Sequence, residues 1–332
     1  MIFDYIDSLG LRFVSAPLAF LGAVVVTFII ALLLTAMIPV FVGWADRKFA
    51  ARIQSRYGPV YVGPFGLLQN FADIVKLLGK RFVSTNVDWL SFNFVPIALA
   101  SASFIMVLLI PWGGPSLSLI SVPYDLLFIY IALAVSPLLV LLAGWGENNK
   151  YSMIGGFRGA AQIATYEIVI IISIISVALL SGSYNLSGIV SSQGSLWYIF
   201  YLPIVFVVFF LAGLATMERE PFDMPEASQE LQAGWKVEYS GIKYGLFLIS
   251  DYVRLVIVAM LVVMLFFGGW LGLSFLPGIA WFWIKTFIVM VFLMVPRWVF
   301  ARPRIDQFIR FGWNWLLPIA ILNLIVAGLV II

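Results

Sequence analysis

Residues 217–241 read MEREPFDMPEASQELQAGWKVEYSG and form a dense acidic stretch between two long apolar runs. The stretch holds two cations, Arg219 and Lys236, against six carboxylates, which are Glu218, Glu220, Asp223, Glu226, Glu230 and Glu238. Charged residues at a membrane boundary are costly unless they face water, protein or a polar pathway. The stretch is therefore predicted to form the mouth of a route for protons or for a ligand, with a plain solvated connection as the alternative.

The chain as a whole has the composition of an integral membrane protein. Its 332 residues are 63% hydrophobic and its mean hydropathy is +1.08, which is too apolar for a soluble domain. A helix needs about 20 apolar residues to cross a bilayer, and the apolar runs here approach or exceed that length. We therefore predict an all-α membrane protein, a bundle of eight transmembrane helices that forms a single domain over residues 1–332. The eight candidates are 17–43, 91–112, 123–146, 156–182, 195–217, 243–270, 279–300 and 313–332.

Lys and Arg are concentrated in alternate loops. The loops that carry them are 44–90, 147–155, 217–242 and 301–312. The three loops between these contain neither residue: 113–122, 183–194 and 271–278. By the positive-inside rule the charged loops are cytoplasmic, and both termini face outward.

The first charged loop contains an amphipathic segment, GPFGLLQNFADIVKLLGKR (63–81). Its apolar residues recur at helical spacing and form one stripe: Leu67, Leu68, Phe71, Ile74, Val75 and Leu78. The segment is too short and too polar to span, so we predict a helix lying at the membrane interface, where it could wall a lateral opening for a lipid-soluble substrate. Just before it, Arg47, Arg52 and Arg56 form a cationic band, to which orientation bias also contributes.

The chain contains neither cysteine nor histidine. Iron–sulfur clusters need thiolates, and haem usually needs His, Cys or Met as axial ligands. We therefore expect this chain to bind no metal, haem or iron–sulfur cluster, so that electrons would come from a partner. Proton handling is left to carboxylates, Lys, Arg, Tyr and water.

Apart from charges near the span ends, four Asp, Glu, Lys or Arg residues lie inside the predicted spans: Glu167, Asp251, Arg254 and Lys285. A charge at the bilayer centre costs about 2.5–3.5 kcal/mol on insertion scales, so each is a functional candidate. Glu167 is a candidate proton carrier, with a carboxylate fixed by a neighbouring group as the alternative. Asp251 and Arg254 are three residues apart on one helix face, which favours a structural ion pair. Lys285 is close to an uncharged outer loop and is interpreted as snorkelling outward.

The last charged loop is also rich in arginine. In RWVFARPRIDQFIRFGW (297–313), the sequence indicates that Arg297, Arg302 and Arg304 converge on Asp306. A docking surface for a soluble partner is one interpretation, and orientation bias is the other.

Three blocks of sequence together resemble one family. They are ADRKFAARIQSRYGPVYVGPFGLLQNFADIVKLL (45–78), NKYSMIGGFRGAAQIATYE (149–167) and REPFDMPEASQELQAGWKVEYSGIKYGLF (219–247), with RWVFARPRIDQ (297–307) as a weaker fourth. This pattern is similar to the H subunit of bacterial NADH:quinone oxidoreductase, respiratory complex I, the equivalent of the first mitochondrial membrane subunit. The resemblance implies an eight-helix, non-redox subunit that walls a chamber for its substrate quinone and begins a carboxylate path for protons.

The resemblance also implies partners and a location. The partners would be iron–sulfur and other hydrophilic-arm subunits, antiporter-like membrane subunits and membrane lipid, with no nucleic acid. The location would be the prokaryotic plasma membrane. A close alternative is the equivalent subunit of a membrane-bound hydrogenase or of a dehydrogenase with another electron donor. A free-standing ion transporter is less favoured, because we find no paired halves with matching interrupted helices.

Site residues follow by position in the resembling blocks and by charge in the loops. For the quinone chamber they are Arg47, Arg52, Arg56, Asp73 and Lys76. For the proton path they are Glu167, Glu218, Glu220, Asp223, Glu226, Glu230 and Asp251. For partner docking they are Arg297, Arg302, Arg304 and Asp306.

The chain departs from the family pattern at four acidic positions. Asp46 and Asp251 stand where the family usually has Glu, which keeps the charge on a shorter side chain. Thr216 and Ser228 stand where many bacterial members carry Glu. Glu218 and Glu220 are the hypothetical replacements for these two missing carboxylates.

Overall fold

The computed structural model describes residues 16–81, 86–226, 228–273 and 275–331, and in these ranges the chain is built of helices. They contain no β-strand, and one isolated bridge joins Pro111 to Ser118. In chain order the helices are α1 (Ala16–Ile53), α2 (Gln69–Gly79), α3 (Trp89–Leu109), α4 (Asp125–Ala134), α5 (Ser136–Gly146), α6 (Lys150–Ser181), α7 (Leu186–Ser192), α8 (Tyr198–Tyr201), α9 (Pro203–Thr216), α10 (Ser228–Leu231), α11 (Ile242–Phe266), α12 (Gly278–Met294), α13 (Pro296–Val299), α14 (Ile305–Phe311) and α15 (Leu317–Ile331). The predicted all-α fold is confirmed.

Seven helical segments of the described ranges are long and apolar enough to cross a membrane. They are Gly22–Ile53, Trp89–Leu109, Asp125–Gly146, Lys150–Ser181, Ile242–Phe266, Gly278–Val299 and Ile305–Leu329. Three of them combine consecutive helices: α4 continues into α5, α12 continues into α13, and a π-helical stretch, Gly312–Leu316, joins α14 to α15. Each segment overlaps one of the predicted spans, and only the fifth predicted span, 195–217, has no counterpart among them.

The fifth predicted span is interrupted near its beginning. α8 ends at Tyr201 and α9 begins at Pro203, because proline has no N–H with which to continue the hydrogen-bond ladder of α8. α9 is apolar but has 14 residues. At 1.5 Å per residue it is about 21 Å long, shorter than the ~30 Å hydrocarbon core. The count of eight spanning helices therefore stays a prediction.

Two helices form much of the interior of the bundle. α11 is buried on every side from Val253 to Phe266, as expected of a helix that is apolar all round, and it packs against α1, α3 and α12. α6 packs against α5, α9 and α15. Glu167 lies on α6, and Asp251 and Arg254 lie on α11, so three of the four intramembrane ionisable residues belong to these two enclosed helices.

Residues 217–241, named here the acidic loop, fold against α6 at a glycine contact. A Cβ atom added to Gly155 of α6 would lie 2.8 Å from the Cα of Gly234 and 2.8 Å from the carbonyl oxygen of Pro225. Gly234 itself has φ +55°, and a Cβ there would lie 1.6 Å from the same oxygen. Glycine is thus required on both sides of the contact, because any side chain would push the loop away from the helix.

The predicted amphipathic helix is present as α2, and its anchor is a polar residue. Asn70 is buried, and its Nδ2 donates to the carbonyl oxygens of Pro39 (3.2 Å) and Val40 (3.0 Å) of α1. Gly43 gives it room, since a Cβ there would lie 2.4 Å from that nitrogen. Most of the apolar stripe instead faces away from the chain, with Leu68, Phe71, Val75 and Leu78 about half exposed.

Replacing the anchor, as Asn70→Leu, should loosen α2 from α1. Loss of the buried hydrogen bonds costs about 1–3 kcal/mol of local stability, so amide hydrogen exchange should speed up across α2 while that of α11 is unchanged. Asn93→Leu is the matched control, because the Asn93 amide donates within its own helix, to the Trp89 carbonyl. Equal exchange in α2 for both variants would contradict the anchoring role.

Candidate functional site

A cavity of about 240 Å³ opens between α1, α2 and α11 and is named here the Arg47 cavity. Its polar end is formed by Arg47, whose Nη1 lies 2.8 Å from Oδ2 of Asp73. The remaining walls are mainly apolar: Pro39, Ile74, Leu77, Leu78, Ile242, Gly245, Leu246, Leu248 and Ile249, with Asn70 and Tyr252. The arrangement suits a ligand with a compact polar group and a larger apolar part.

Two of the five predicted chamber residues, Arg47 and Asp73, line this cavity, and a third, Lys76, lies beside them. Lys76 Nζ lies 3.5 Å from Oδ1 of Asp73, on the exposed side of the Arg47–Asp73 pair. Partial burial acts to raise the pKa of Asp73, but the hydrogen bond and charge of Arg47, together with the charge of Lys76, hold that pKa below its ordinary value. Asp73 is therefore a fixed anion at the cavity wall near neutral pH.

The other two predicted chamber residues lie elsewhere. Arg52 and Arg56 line a separate hollow of about 520 Å³ with Lys48 and Tyr57. Arg56 Nε donates to Gln54 Oε1 at 2.7 Å. The cationic band predicted from sequence is thus divided between two surfaces.

An ion network connects the Arg47 cavity to the acidic loop. Asp46 is 2% exposed, and its Oδ2 accepts from Arg297 Nη1 at 2.8 Å and from Arg219 Nη1 at 3.5 Å. The Arg219 guanidinium also lies 4.7 Å from the ring centroid of Tyr252, a wall residue of the cavity. Glu220 stands 3.9 Å from Arg297 at the edge of the network.

Sequence reasoning does not find this network. It predicts that Arg297 converges on Asp306 with the other arginines, whereas the Arg297 guanidinium pairs with Asp46. The sequence marks Asp46 only as a shorter carboxylate in the place of a Glu. The single further signal is that this carboxylate is the one acidic residue of α1 and comes immediately before Arg47.

A second ion cluster, the Lys236 cluster, is formed by Lys236, Glu226 and Asp251. Lys236 Nζ lies 2.8 Å from Oδ2 of Asp251 and contacts Oε1 of Glu226. The predicted ion pair between Asp251 and Arg254 is therefore wrong. Arg254 instead donates to the Thr216 carbonyl at 3.1 Å and to Ser136 Oγ at 2.9 Å. Lys236 lies beside Asp251, in the place that the sequence assigned to Arg254.

Two carboxylates of the acidic loop, the buried Glu218 and the partly buried Asp223, lack full pairing. Burial raises the pKa of Glu218 to about 8, against the opposing charges of Arg254 and Lys236. Burial and the charge of Glu226 raise the pKa of Asp223 to about 7. Oε1 of Glu218 and Oδ1 of Asp223 have no hydrogen-bond partner in the described residues. Both groups therefore hold or release protons close to neutral pH.

Glu167 lies deeper, on α6. With Arg254, Thr216, Ser136 and Tyr130 it lines a cavity of about 10 Å³, roughly the space of one water molecule. The Tyr130 hydroxyl donates to the backbone carbonyl of Glu167 at 3.4 Å. Arg254 is thus the shared neighbour of Glu167 and, through its charge, of Glu218.

Met224 and Glu230 of the acidic loop line an open polar hollow of about 380 Å³. Arg158 of α6 pairs with Glu230 at 2.6 Å, and this bond lowers the pKa of Glu230. Three of the predicted docking residues share the hollow: Arg302, Arg304 and Asp306. Arg302 Nη2 donates to the Met224 carbonyl at 3.4 Å. The side chain of Ser228, one of the departures noted above, lies outside the described part of the chain.

Lys285 extends towards the loop after α11, as snorkelling predicts, but its ammonium is buried and ends on backbone carbonyls rather than in water. Its ammonium donates to the carbonyls of Phe267 (2.7 Å), Gly269 (3.2 Å) and Leu271 (2.5 Å). It also lies 4.3 Å from the ring centroid of Trp197. The ammonium is held at this position because the carbonyls beyond the end of α11 need donors, and a cation is favoured there.

Two buried carboxylates, Asp125 and Glu147, are missed altogether by sequence reasoning. Glu147 accepts from the backbone N–H of Glu238 at 3.1 Å and from the Ser152 hydroxyl, and burial raises its pKa to about 8. It fastens the far end of the acidic loop to the turn before α6. Among the described residues, no group of three or more His, Cys, Asp or Glu side chains is arranged to hold a metal ion.

The chain matches the model of the NADH dehydrogenase family over residues 18–328. It is 39% identical over 296 residues to the H subunit of NADH-quinone oxidoreductase from Carboxydothermus hydrogenoformans, covering 87% of this chain and 83% of the relative. It is 41% identical over 291 residues to the H subunit of a Geobacillus species, covering 86% and 87%. It is 39% identical over 322 residues to the second H subunit of NADH-quinone oxidoreductase from Rhizobium meliloti, covering 93% and 98%.

The raised pKa of Glu218 makes a prediction about stability. Since its folded pKa of about 8 lies above the ordinary value of 4.5, the folded chain keeps a proton that the unfolded chain releases between these values. The contribution of Glu218 to the free energy of unfolding is therefore fully present below its ordinary pKa of 4.5 and is lost as pH rises through about 8. Glu218→Gln keeps the neutral form at every pH, so its thermal unfolding midpoint should rise relative to wild type between about pH 5 and pH 8.

The control is Glu220→Gln, because the Glu220 side chain is half exposed. Its unfolding midpoint should follow that of wild type across the same range. A wild-type to Glu218→Gln difference that is constant with pH would show that Glu218 does not take up a proton on folding.

Proposed function

Because the chain belongs to the family of the NADH-quinone oxidoreductase H subunit, a membrane component of an oxidoreductase complex, we propose that it walls a quinone site and begins a proton path. The observation that carries this proposal is the Arg47 cavity together with its connection to the acidic loop through Tyr252, Arg219 and Asp46. Family membership disfavours the free-standing transporter that the sequence alone left open.

The cavity has the chemistry that quinone requires. A quinone has a planar head with two carbonyl acceptors and an apolar tail. Arg47 supplies N–H donors at the polar end, Asp73 holds the guanidinium in place, and Leu77, Leu246 and Ile249 are among the side chains that offer an apolar surface. Lys76 stands outside the pair as a second cation that stabilises Asp73.

The substrate would reach this cavity from the bilayer. The apolar stripe of α2 faces away from α1, and Leu78 belongs both to that stripe and to the cavity wall. A lipid-soluble molecule lying against the stripe would meet the cavity without crossing water. Arg52 and Arg56 would flank this region from their separate hollow rather than contact the quinone head.

The chain would act without a redox centre of its own. It has neither Cys nor His, so we assign the electrons to an iron–sulfur cluster of a partner subunit. Two electrons and two protons convert quinone to quinol, and negative charge that develops on the head would draw Arg47 away from Asp73. Asp46 immediately precedes Arg47 in α1. A movement of Arg47 would therefore shift Asp46 and change its contacts with Arg219 and Arg297.

The proton path would begin at the acidic loop and continue inward. Glu220 and Glu230 are its exposed members, and Asp223 and Glu226 are partly buried. Glu218 and Glu167 would carry the proton towards the interior, with Arg254 between them. Asp251 would line the path beside Lys236 without binding the proton itself. The unpaired oxygen atoms of Glu218 and Asp223 support a role in proton exchange rather than in structural pairing.

The same proposal includes partners and placement. Arg302, Arg304 and Asp306, with Arg158, would face the hydrophilic-arm subunits, while Arg297 is engaged inside with Asp46. Antiporter-like membrane subunits would receive the proton path. The chain would lie in a prokaryotic plasma membrane, as one membrane domain, with the acidic loop cytoplasmic and both termini outside.

Arg47→Gln should weaken quinone binding in the complex purified through a tag on this chain. A hydrogen bond from a charged donor contributes about 1.5–3 kcal/mol, so KM for quinone should rise about 10- to 100-fold. Reduction of a soluble acceptor by the partner subunits should be unchanged. Arg81→Gln, at an exposed arginine of the same loop, is the matched control, and equal KM values for the two variants would refute the site.

Glu167→Gln should separate quinone reduction from proton movement. The variant keeps the shape of the side chain but cannot release a proton, so the complex should assemble and reduce quinone while vesicle acidification falls to background. Proton movement is measured with a pH-sensitive dye in vesicles that contain the purified complex. Unchanged acidification per quinone reduced would remove Glu167 from the path.

A further inference from the structure

Lys236 is a buried cation in the middle of the acidic loop. Its side chain is 6% exposed, against 34% for Glu226 and 22% for Asp251. It ends a short 3₁₀ turn, Gly234–Lys236, whose close approach to Gly155 of α6 fixes where the side chain begins. The ammonium is thus held deeper than either of its partners, between the loop and α11.

The surroundings of Lys236 are more acidic than one ammonium can balance. Glu226 and Asp251 contact it directly, and Glu218 is close enough for its charge to act on Lys236. The titratable neighbours from α11 are Asp251, Tyr244 and Arg254, and those from the acidic loop are Glu218 and Glu226. A buried ammonium is stable only with such partners, because removal of charge from water costs several kcal/mol per ion.

The three carboxylates differ in whether their oxygen atoms are already engaged or are available to bind a proton. Glu226 and Asp251 are both engaged by the ammonium, whereas Glu218 has one oxygen with no hydrogen-bond partner in the described residues. Glu218 is packed against Gly159, where a Cβ would lie 3.1 Å from its Oε1. Burial raises the pKa of Glu218 to about 8, which agrees with this difference.

We propose that Lys236 is an internal counter-ion of the proton path: its ammonium neutralises Glu226 and Asp251 so that an arriving proton binds to Glu218 and not to either of them. Lys236 is a positioning residue in this scheme, since it acts through the carboxylates and keeps its own proton. The proton leaves water at the loop, binds to the free oxygen of Glu218, and is passed on towards Glu167.

The inference rests on the proposed function and is tested in the whole complex, reconstituted in vesicles. Lys236→Met removes the charge at similar length, Lys236→Arg keeps the charge, and Lys150→Met changes an exposed lysine as the control. Lys236→Met should lower the protons moved per quinone reduced at least threefold, while Lys236→Arg and Lys150→Met should stay close to wild type.

A double variant, Lys236→Met with Asp251→Asn, separates charge from tethering. It removes one cation and one anion, so the summed charge of the pocket is that of wild type, although the bridge between the loop and α11 is lost. The inference requires this double variant to recover proton movement at least twofold over Lys236→Met. A purely structural bridge would give no recovery.

Each outcome bears on the inference. Normal coupling in Lys236→Met, or no recovery in the double variant, would overturn it. If Lys236→Met fails to assemble, assembly and coupling of the double variant support it, and failure of the double variant overturns it. A wild-type complex that reduces quinone without moving protons would instead overturn the proposed function, and this inference with it.

Discussion

The structure depends on one constraint: a charge removed from water must meet a charge of opposite sign or hydrogen-bonding groups in its place. Asp46 is the clearest case, because it is buried in α1 and its two arginine partners come from 173 and 251 residues further along the chain. Removing one partner of a buried ion pair costs about 3–5 kcal/mol. Arg219 therefore holds the start of the acidic loop, and Arg297 holds α13, to the same turn of α1. The position of three separate elements follows from one carboxylate.

The same constraint explains why the acidic loop folds inward. Its two cations both pair inside the protein, Arg219 with Asp46 and Lys236 with Glu226 and Asp251. A loop that served only as a solvated connection would direct its carboxylates to water, where they cost nothing. Here Glu218 and Asp223 are instead held where burial raises their pKa values to about 8 and about 7. Such values are unfavourable for a structural charge and favourable for proton exchange, which argues against the plain connection.

Local patterns in the sequence were enough to predict the helices but not to predict the ion pairs. Composition located the spanning segments, and apolar spacing located α2, because both signals are carried by neighbouring residues. The partners of Asp251 and Lys285 could not be read in this way, since Lys236 and the carbonyls after α11 reach them through the fold. The prediction that Arg47, Arg52 and Arg56 form one cationic band failed for a geometric reason. At 3.6 residues per turn, five residues place Arg52 about 140° around the helix from Arg47.

Helix geometry also connects the Arg47 cavity to the acidic loop. Asp46 and Arg47 are consecutive, so their side chains leave α1 about 100° apart. One points to Arg219 and Arg297, and the other to Asp73 in the cavity wall. A rotation or shift of this single helical turn must change both sets of contacts together, because both side chains leave the same turn of α1. Coupling between a ligand in the cavity and the carboxylates of the loop therefore needs no long chain of intermediates. It needs only that charge on the ligand compete with Asp73 for Arg47, at the turn that also anchors the loop.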